Sequence, residues 1–438
     1  MAVPDPPGTA THAATAERVG PALPMVFLPL ACGYLLSYVF RTINGTLADE
    51  LIHRFRLDAR SLGLLTSIYF LAFALSAIPI GLALDAFGPR AVQACLMTVA
   101  AVGALVFALA PSEPCLVIGR ALIGLGVAGG LMAGLKAHAM WVSPRYLPLA
   151  NGGLVMFGGL GAIAATLPVG VIDSLVGWRG TFLVLSVVSM AIAISVFICV
   201  PGHSVIGERL IDRRIMRGFL DSITDRRFLR IAPLSASVIG TAFAMHGLWA
   251  ARWLTDVDRL NPEGVLDGLL AMGVGLTLGA FVIGAATTWL TRLGLSETKI
   301  FGGFCSIFIA LQLALQLNAA IPFVVIWGLI GACGSMTVLS YSILDEMFHP
   351  TFVGRTNSAL NVLHLTTAWF VQAGMGVIVA HWPTLSPGHY PMMAYRIAFI
   401  LPLFLQVVGL VWFLGNRPVA HEKILAQPLA GEDPIAAD

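Results

Sequence analysis

Apolar runs of roughly 18 to 25 residues recur from Pro24 to Leu414, separated by short polar connectors. Twelve such runs can be counted. A helix rises 1.5 Å per residue, so each run is long enough to cross about 30 Å of hydrocarbon. Alternating ten-residue segments of the barrel type are absent, and in lipid a helix satisfies its backbone hydrogen bonds within its own segment. The pattern therefore predicts an all-α membrane protein with twelve transmembrane helices.

The runs fall into two matching sets of six. Before the fifth run Pro144 precedes Asn151 by seven residues, and before the eleventh Pro350 precedes Asn357 by seven. The sixth begins with GWRGTF (Arg179, Phe182) and the twelfth with MAYRIAF (Arg396, Phe399), an RxxF spacing in both. Two coincidences at equivalent places predict two six-helix bundles related by pseudo-twofold symmetry. The expected units are a disordered tail (1–22), an N-terminal bundle (23–200), a linker (201–229), a C-terminal bundle (230–415) and a second tail (416–438). Parallel repeats of this kind, with a site near the midplane between them, imply alternating access by rocking of one half against the other.

Composition sharpens the assignment. At 58% hydrophobic and 11% charged residues, the chain has too little polar surface for a soluble globule. Most of the 25 Lys and Arg fall in loops on one side and in the tails, which predicts both termini in the cytoplasm and a multi-pass protein of the inner or plasma membrane. The connector from Pro201 to Arg230 carries Arg209, Arg213, Arg214, Arg217, Arg226, Arg227 and Arg230, and its apolar positions Ile206, Leu210, Ile211, Ile215, Met216, Phe219 and Leu220 recur at helical spacing. Two readings stand there: an amphipathic helix on the inner membrane surface, or a solvated connector. The six cysteines form no CxxC pair or metal-ligand spacing, and a net charge of +2 leaves no basic footprint for nucleic acid.

The loop after the second run reads GLALDAFGPRA, where Gly81, Asp85, Gly88 and Arg90 resemble the GxxxD(R/K)xGRR signature of the major facilitator superfamily. RALIGLG in the fourth run is similar to that family's RxxxGxG pattern, with Arg120 as a buried charge and Gly124 and Gly126 for close packing. The likeness covers about Pro24 to Leu414. It implies the two-bundle fold, secondary transport of a small molecule, and Asp85 with Arg90 as a latch that breaks during rocking. The sequence departs from the signature at Ala86 and Pro89, and the equivalent loop GAATTWLTRLG keeps Gly284, Arg292 and Gly294 but has Thr288 in place of the acid. Gating is therefore expected to depend more on the N-terminal half. The fifth run lacks the Gly-Pro pair of the family's antiporter motif, which points away from drug–proton antiport.

Substrate chemistry must come from polar groups inside the helices. Tyr34, Ser37, Arg41 and Asn44 make a polar stripe on the first run, and His246, Trp249 and Arg252 make one on the seventh, its repeat counterpart. Two cations on symmetry-related helices point to an anion held by Arg41 and Arg252, with Tyr38 and Trp249 as walls. The organophosphate and anion-exchanging branches of the superfamily look similar in this respect. Snorkelling of Arg252 and Arg41 to the interface is the competing reading. Lys136 and Arg120 are further intramembrane cations, although sixteen residues apart they point roughly opposite ways on a straight helix. Asn361, His364 and Gln372 line one face of the eleventh run, explained equally well by substrate contact or interhelical packing.

The acids Asp49, Asp85, Asp173, Asp256, Asp345 and Glu346 all fall near run ends, so no mid-membrane carboxylate is available for proton coupling. Asp267 lies closest to an exception, and His246 and His364 are candidate titrating groups, which favours exchange or anion–proton symport with a proton or counter-anion as the second partner. No metal cluster, cofactor motif or activated nucleophile is expected, and hence no enzyme. The expectation is a monomeric carrier for a carboxylate or phosphate ester. An exporter of apolar compounds, or a receptor or assembly factor that lost transport, are the alternatives.

Overall fold

The computed structural model describes residues 22–143, 145–202, 223–348 and 350–416. The expected amphipathic helix within 206–220, Pro144 and nearly all of both tails lie outside the described residues. Among those residues, eleven helical stretches are long and apolar enough to cross a membrane. One of them, Ala59–Ala108, is 50 residues long and leaves helical geometry at Gly88, with φ 75° and ψ 165°. Pro89 pushes its predecessor out of the α region, and only glycine adopts that positive φ without strain. The chain thus reverses there, in the loop that carries the signature, and the stretch is two spans.

The spans are α1 (Ala22–Phe55), α2 (59–87), α3 (89–108), α4 (Glu113–Trp141), α5 (147–176), α6 (178–199), α7 (Arg226–Asp256), α8 (Pro262–Arg292), α9 (Glu297–Gln316), α10 (Phe323–Met347), α11 (Pro350–Val379) and α12 (Met392–Gly415). A second positive-φ glycine, Gly177, separates α5 from α6. This is the twelve-helix, all-α architecture that the apolar runs predict. With an even number of spans both described ends lie on one face, here the near face, and the α1–α2 and α7–α8 turns lie on the far face.

The repeat has physical content. Asp58 accepts from the backbone of Ser61 at the start of α2, and Asn261 accepts from Gly264 at the start of α8, so counterpart helices carry equivalent N-caps. The two matched asparagines also do the same work. Asn151 at the start of α5 lies 2.9 Å from His138 Nδ1 at the end of α4, and Asn357 donates to Asp345 at the end of α10 over 2.7 Å. The RxxF arginines differ in their contacts: the Arg179 guanidinium donates to the carbonyls of Ala108, at the end of α3, and Ala110, just beyond it, while at Arg396 it is the backbone carbonyl that accepts, from Gln316 at the end of α9. Phe182 and Phe399 are both fully buried.

The two stripe-bearing helices form the centre. The apolar window of α1 is 72% buried and that of α7 is 83% buried, against 28% for α8. They cross closely where Gly45 faces the backbone of His246 and Gly247. Within α7, residues Met245–Trp249 form a π-helical turn, the kind of bulge often found at functional sites.

Candidate functional site

The stripe on α1 turns inward as a unit: Tyr34, Ser37, Arg41 and Asn44 are all buried. The guanidinium of Arg41 lies 4.4 Å from the ring centre of Tyr38, one turn back on its own helix, and 4.5 Å from that of Phe243 on α7. Phe73 of α2 stands at 5.9 Å. Arg41 is 6% exposed, and none of the described ion pairs includes it. A narrow cavity opens against it, lined by Tyr38, Arg41, Phe243 and His246, then by Met272 and Leu276 of α8 and Ile330 of α10. The His246 ring nitrogen Nε2 has no partner among the described residues. The same holds for both amide atoms of Asn44 and for Gln372 Oε1, which lies over Gly247. Burying polar groups without partners costs free energy, so these atoms retain hydrogen-bonding capacity in the interior.

Arg120 does not reach this cavity. It is buried, donates to the Phe40 carbonyl over 2.6 Å and stacks over Tyr69, whose hydroxyl donates to the Ser37 carbonyl. Arg120 and Tyr69 thus grip the α1 backbone on the turn that carries Arg41. The glycines of this pattern act as expected: added side-chain carbons at Gly124 and Gly126 would collide with the backbone of Tyr69 and Ala100.

Arg252 takes a different place from the anion ligand expected of it. It pairs with Asp49 at the end of α1, with Asp256 one turn on over 3.1 Å, and with the Gly388 carbonyl over 2.7 Å. The π-turn inserts an extra residue between His246 and Trp249, so a spacing of three no longer returns to one helical face. His246 faces the cavity while Arg252 faces the far end. Trp249 donates to the Gln372 carbonyl over 3.2 Å and meets Tyr395 edge-on, which makes it part of the seal rather than a wall of the cavity.

That seal is a far-face latch centred on Asp256. Its carboxylate, 2% exposed, also holds His389 Nδ1 at 2.6 Å and accepts from the Tyr395 hydroxyl. Two of the described polar links cross between the halves here, Arg252 to Asp49 and the Ala59 amide to the Tyr390 hydroxyl at 3.0 Å. Beside them Gly376 of α11 packs on the backbone of Ala59 and Gly63.

On the near face Lys136 pairs with Asp85 and does not line the cavity at Arg41. Arg90, expected to pair with Asp85, lies instead over the Phe197 ring at 4.5 Å. Pro89 starts α3 beyond a sharp turn and directs the arginine toward α6. Gly81 has open space around it and mediates no close helix contact. On α11, Asn361 accepts from the Tyr341 hydroxyl, and His364 shares a 2.9 Å hydrogen bond with Ser235, so this stripe mainly ties α11 to α7 and α10. An apolar groove of about 830 Å³ lies elsewhere, between α2, α3 and α4, lined by Leu75, Pro79, Phe87, Ile118 and Leu122.

Sequence reasoning missed Phe243, Tyr69, Asp49 and Asp256. Phe243 precedes His246 by one turn, and the two acids had been set aside as helix-end residues; nothing along the chain shows that they share a cation.

The sequence profile of the Major Facilitator Superfamily matches residues 30–373. The nitrate/nitrite transporter NrtP of Picosynechococcus is 34% identical over 128 residues, 29% of this chain and 23% of its own. The probable sulfoacetate transporter SauU of Cupriavidus necator is 30% identical over 158 residues, 36% of either chain. The matched stretches thus span well under two thirds of these relatives. A bacterial homologue of the human lysosomal transporter Spinster, solved inward-facing and occupied, has a TM-score of 0.71 at 17% identity, covering 90% of this chain and 97% of that one.

Proposed function

The chain belongs to the Major Facilitator Superfamily, and on that premise we propose that it is a secondary active transporter for a small organic anion, a carboxylate or phosphate ester. The observation that carries this reading is Arg41, a buried guanidinium at the junction of the halves that pairs with no carboxylate among the described residues. An uncompensated buried charge is expensive, whereas a bound anion compensates it through two parallel hydrogen bonds. Stacked rings from both halves contribute cation–π attraction of about 1 kcal/mol each, too little to replace hydration. The printed names of two relatives, a nitrate/nitrite and a probable sulfoacetate transporter, support an anion.

Tyr38 and Arg41 come from α1 while Phe243 and His246 come from α7, so rocking remodels the site itself. In this conformation the far end is closed by the Arg252–Asp49 and Ala59–Tyr390 links, and these must part for the far face to open. The near face corresponds to the cytoplasm, by the basic residues of its loops, and the protein works as a monomer in the cell membrane. His246 is the group best placed to exchange a proton with the anion, which favours exchange or anion–proton symport. An exporter of apolar compounds would gain nothing from a buried, unpaired arginine.

Uptake of labelled carboxylates and phosphate esters into proteoliposomes tests the reading. Arg41→Ala should lose about 100-fold in uptake, two charge-assisted hydrogen bonds at about 1.5 kcal/mol each. Transport equal to wild type overturns it.

A further inference from the structure

We infer that the substrate is a monoanion, one carboxylate on a compact apolar body, and that Gly334 sets the size of that body. This rests on the anion reading above and narrows it. Of the four intramembrane cations, three are committed elsewhere: Arg252 to Asp49 and Asp256, Lys136 to Asp85, and Arg120 to the Phe40 carbonyl. Arg41 alone offers its donors to the cavity.

The lining next to Arg41, around a void of about 10 Å³ in this conformation, limits what the rest of the molecule can be. It is bounded by Ala242, Met272, Leu276, Ile330 and the α10 glycines Gly331 and Gly334. The other polar groups there, the Tyr38 hydroxyl and His246, carry no fixed positive charge. A second carboxylate, or the second charge of a phosphate ester, would be desolvated against methyl groups without a counter-charge. A single carboxylate on a short hydrocarbon body meets no such obstacle: its charge lies on the guanidinium and its body on the aliphatic wall.

The two glycines differ in what they permit. A side-chain carbon at Gly331 would stand 2.1 Å from the Met272 carbonyl, so that position is fixed by helix contact. At Gly334 the same carbon would meet Ala242 Cβ at 3.3 Å, tighter than ordinary contact, and Leu276 Cδ1 at 3.6 Å. A methyl group at Gly334 therefore needs Ala242 to give by a few tenths of an ångström, and it narrows the space beside Arg41.

The experiment is a proteoliposome uptake panel of acetate, propionate, butyrate and isovalerate against succinate and glycerol phosphate, for wild type, Arg41→Lys, Arg41→Ala and Gly334→Ala, each first shown monodisperse. Wild type should carry at least one monocarboxylate and take up succinate and glycerol phosphate at under a tenth of that rate, as roughly expected for an unpaired buried charge. Gly334→Ala should raise KM for the longest accepted acid roughly tenfold, as for a methylene-sized steric change, while sparing the shortest. Succinate or glycerol phosphate carried as well as the monocarboxylates, and lost in Arg41→Ala, would overturn the monoanion inference and leave the anion site standing. Arg41→Ala carrying every compound like wild type would remove both. Failure of every monocarboxylate to be taken up also overturns the inference, as does a Gly334→Ala profile identical to wild type for the size assignment.

Discussion

Three arginines inside the spans look alike in the sequence and do different things. Arg41 meets aromatic rings and a cavity, Arg120 a backbone carbonyl, Arg252 two carboxylates. The stripe on α1 was legible because helical spacing alone brings Tyr34, Ser37, Arg41 and Asn44 to one face. The partners were not, since Asp49 lies 203 positions from Arg252 along the chain. The difference has measurable consequences. Arg120→Gln removes the donor that grips Phe40 and should lower unfolding free energy by about 1–3 kcal/mol, read as a fall in the thermal melting point in detergent. Arg252→Met leaves Asp256 buried without its counter-charge and should be more damaging, about 3–5 kcal/mol in the same assay. In the far-face turn, burial pushes the Asp258 carboxyl up to about 6. A carboxyl raised in the folded state stabilises while protonated. Its contribution is full below the unfolded value of about 4 and is lost as pH rises through about 6. Melting points measured across that window should fall with rising pH in wild type, and this decline should be shallower in Asp258→Asn.

At the scale of elements, the apolar runs were readable because the solvent sets their length, and the turns at Gly88 and Gly177 because glycine beside polar residues marks a reversal. The matched asparagines and RxxF arginines were visible as spacings, and the structure gives the two asparagines a shared task of tying counterpart helix ends together. The π-turn of α7 was not readable, since no residue in MHGLW announces it. The far-face links belong to this scale. Asp49 is half exposed, so Asp49→Asn should weaken the Arg252 link with little loss of stability. In a variant whose native cysteines are replaced, a cysteine at the buried Ile52 should then react faster with a membrane-impermeant maleimide. An unchanged labelling rate would mean that the ion pair does not hold the far end shut.

For the molecule as a whole, two six-helix halves meet at the far end through polar links and at the middle through Arg41 with Phe243 and through the stacked rings of Phe70 and Phe243, 6.3 Å apart. The expected convergence of two cations on one site is not formed, because Arg252 is held by Asp49 and Asp256, and Arg41 is left as the cation beside the cavity. Lys136, not the expected Arg90, is the partner of Asp85, and Arg90 lies over Phe197. Counterflow tests this account most directly. Proteoliposomes loaded with a transported unlabelled carboxylate should accumulate the labelled compound transiently above equilibrium with wild type, and show no overshoot with Arg41→Ala of equal reconstitution. An overshoot of equal height in both would contradict an alternating anion site at Arg41.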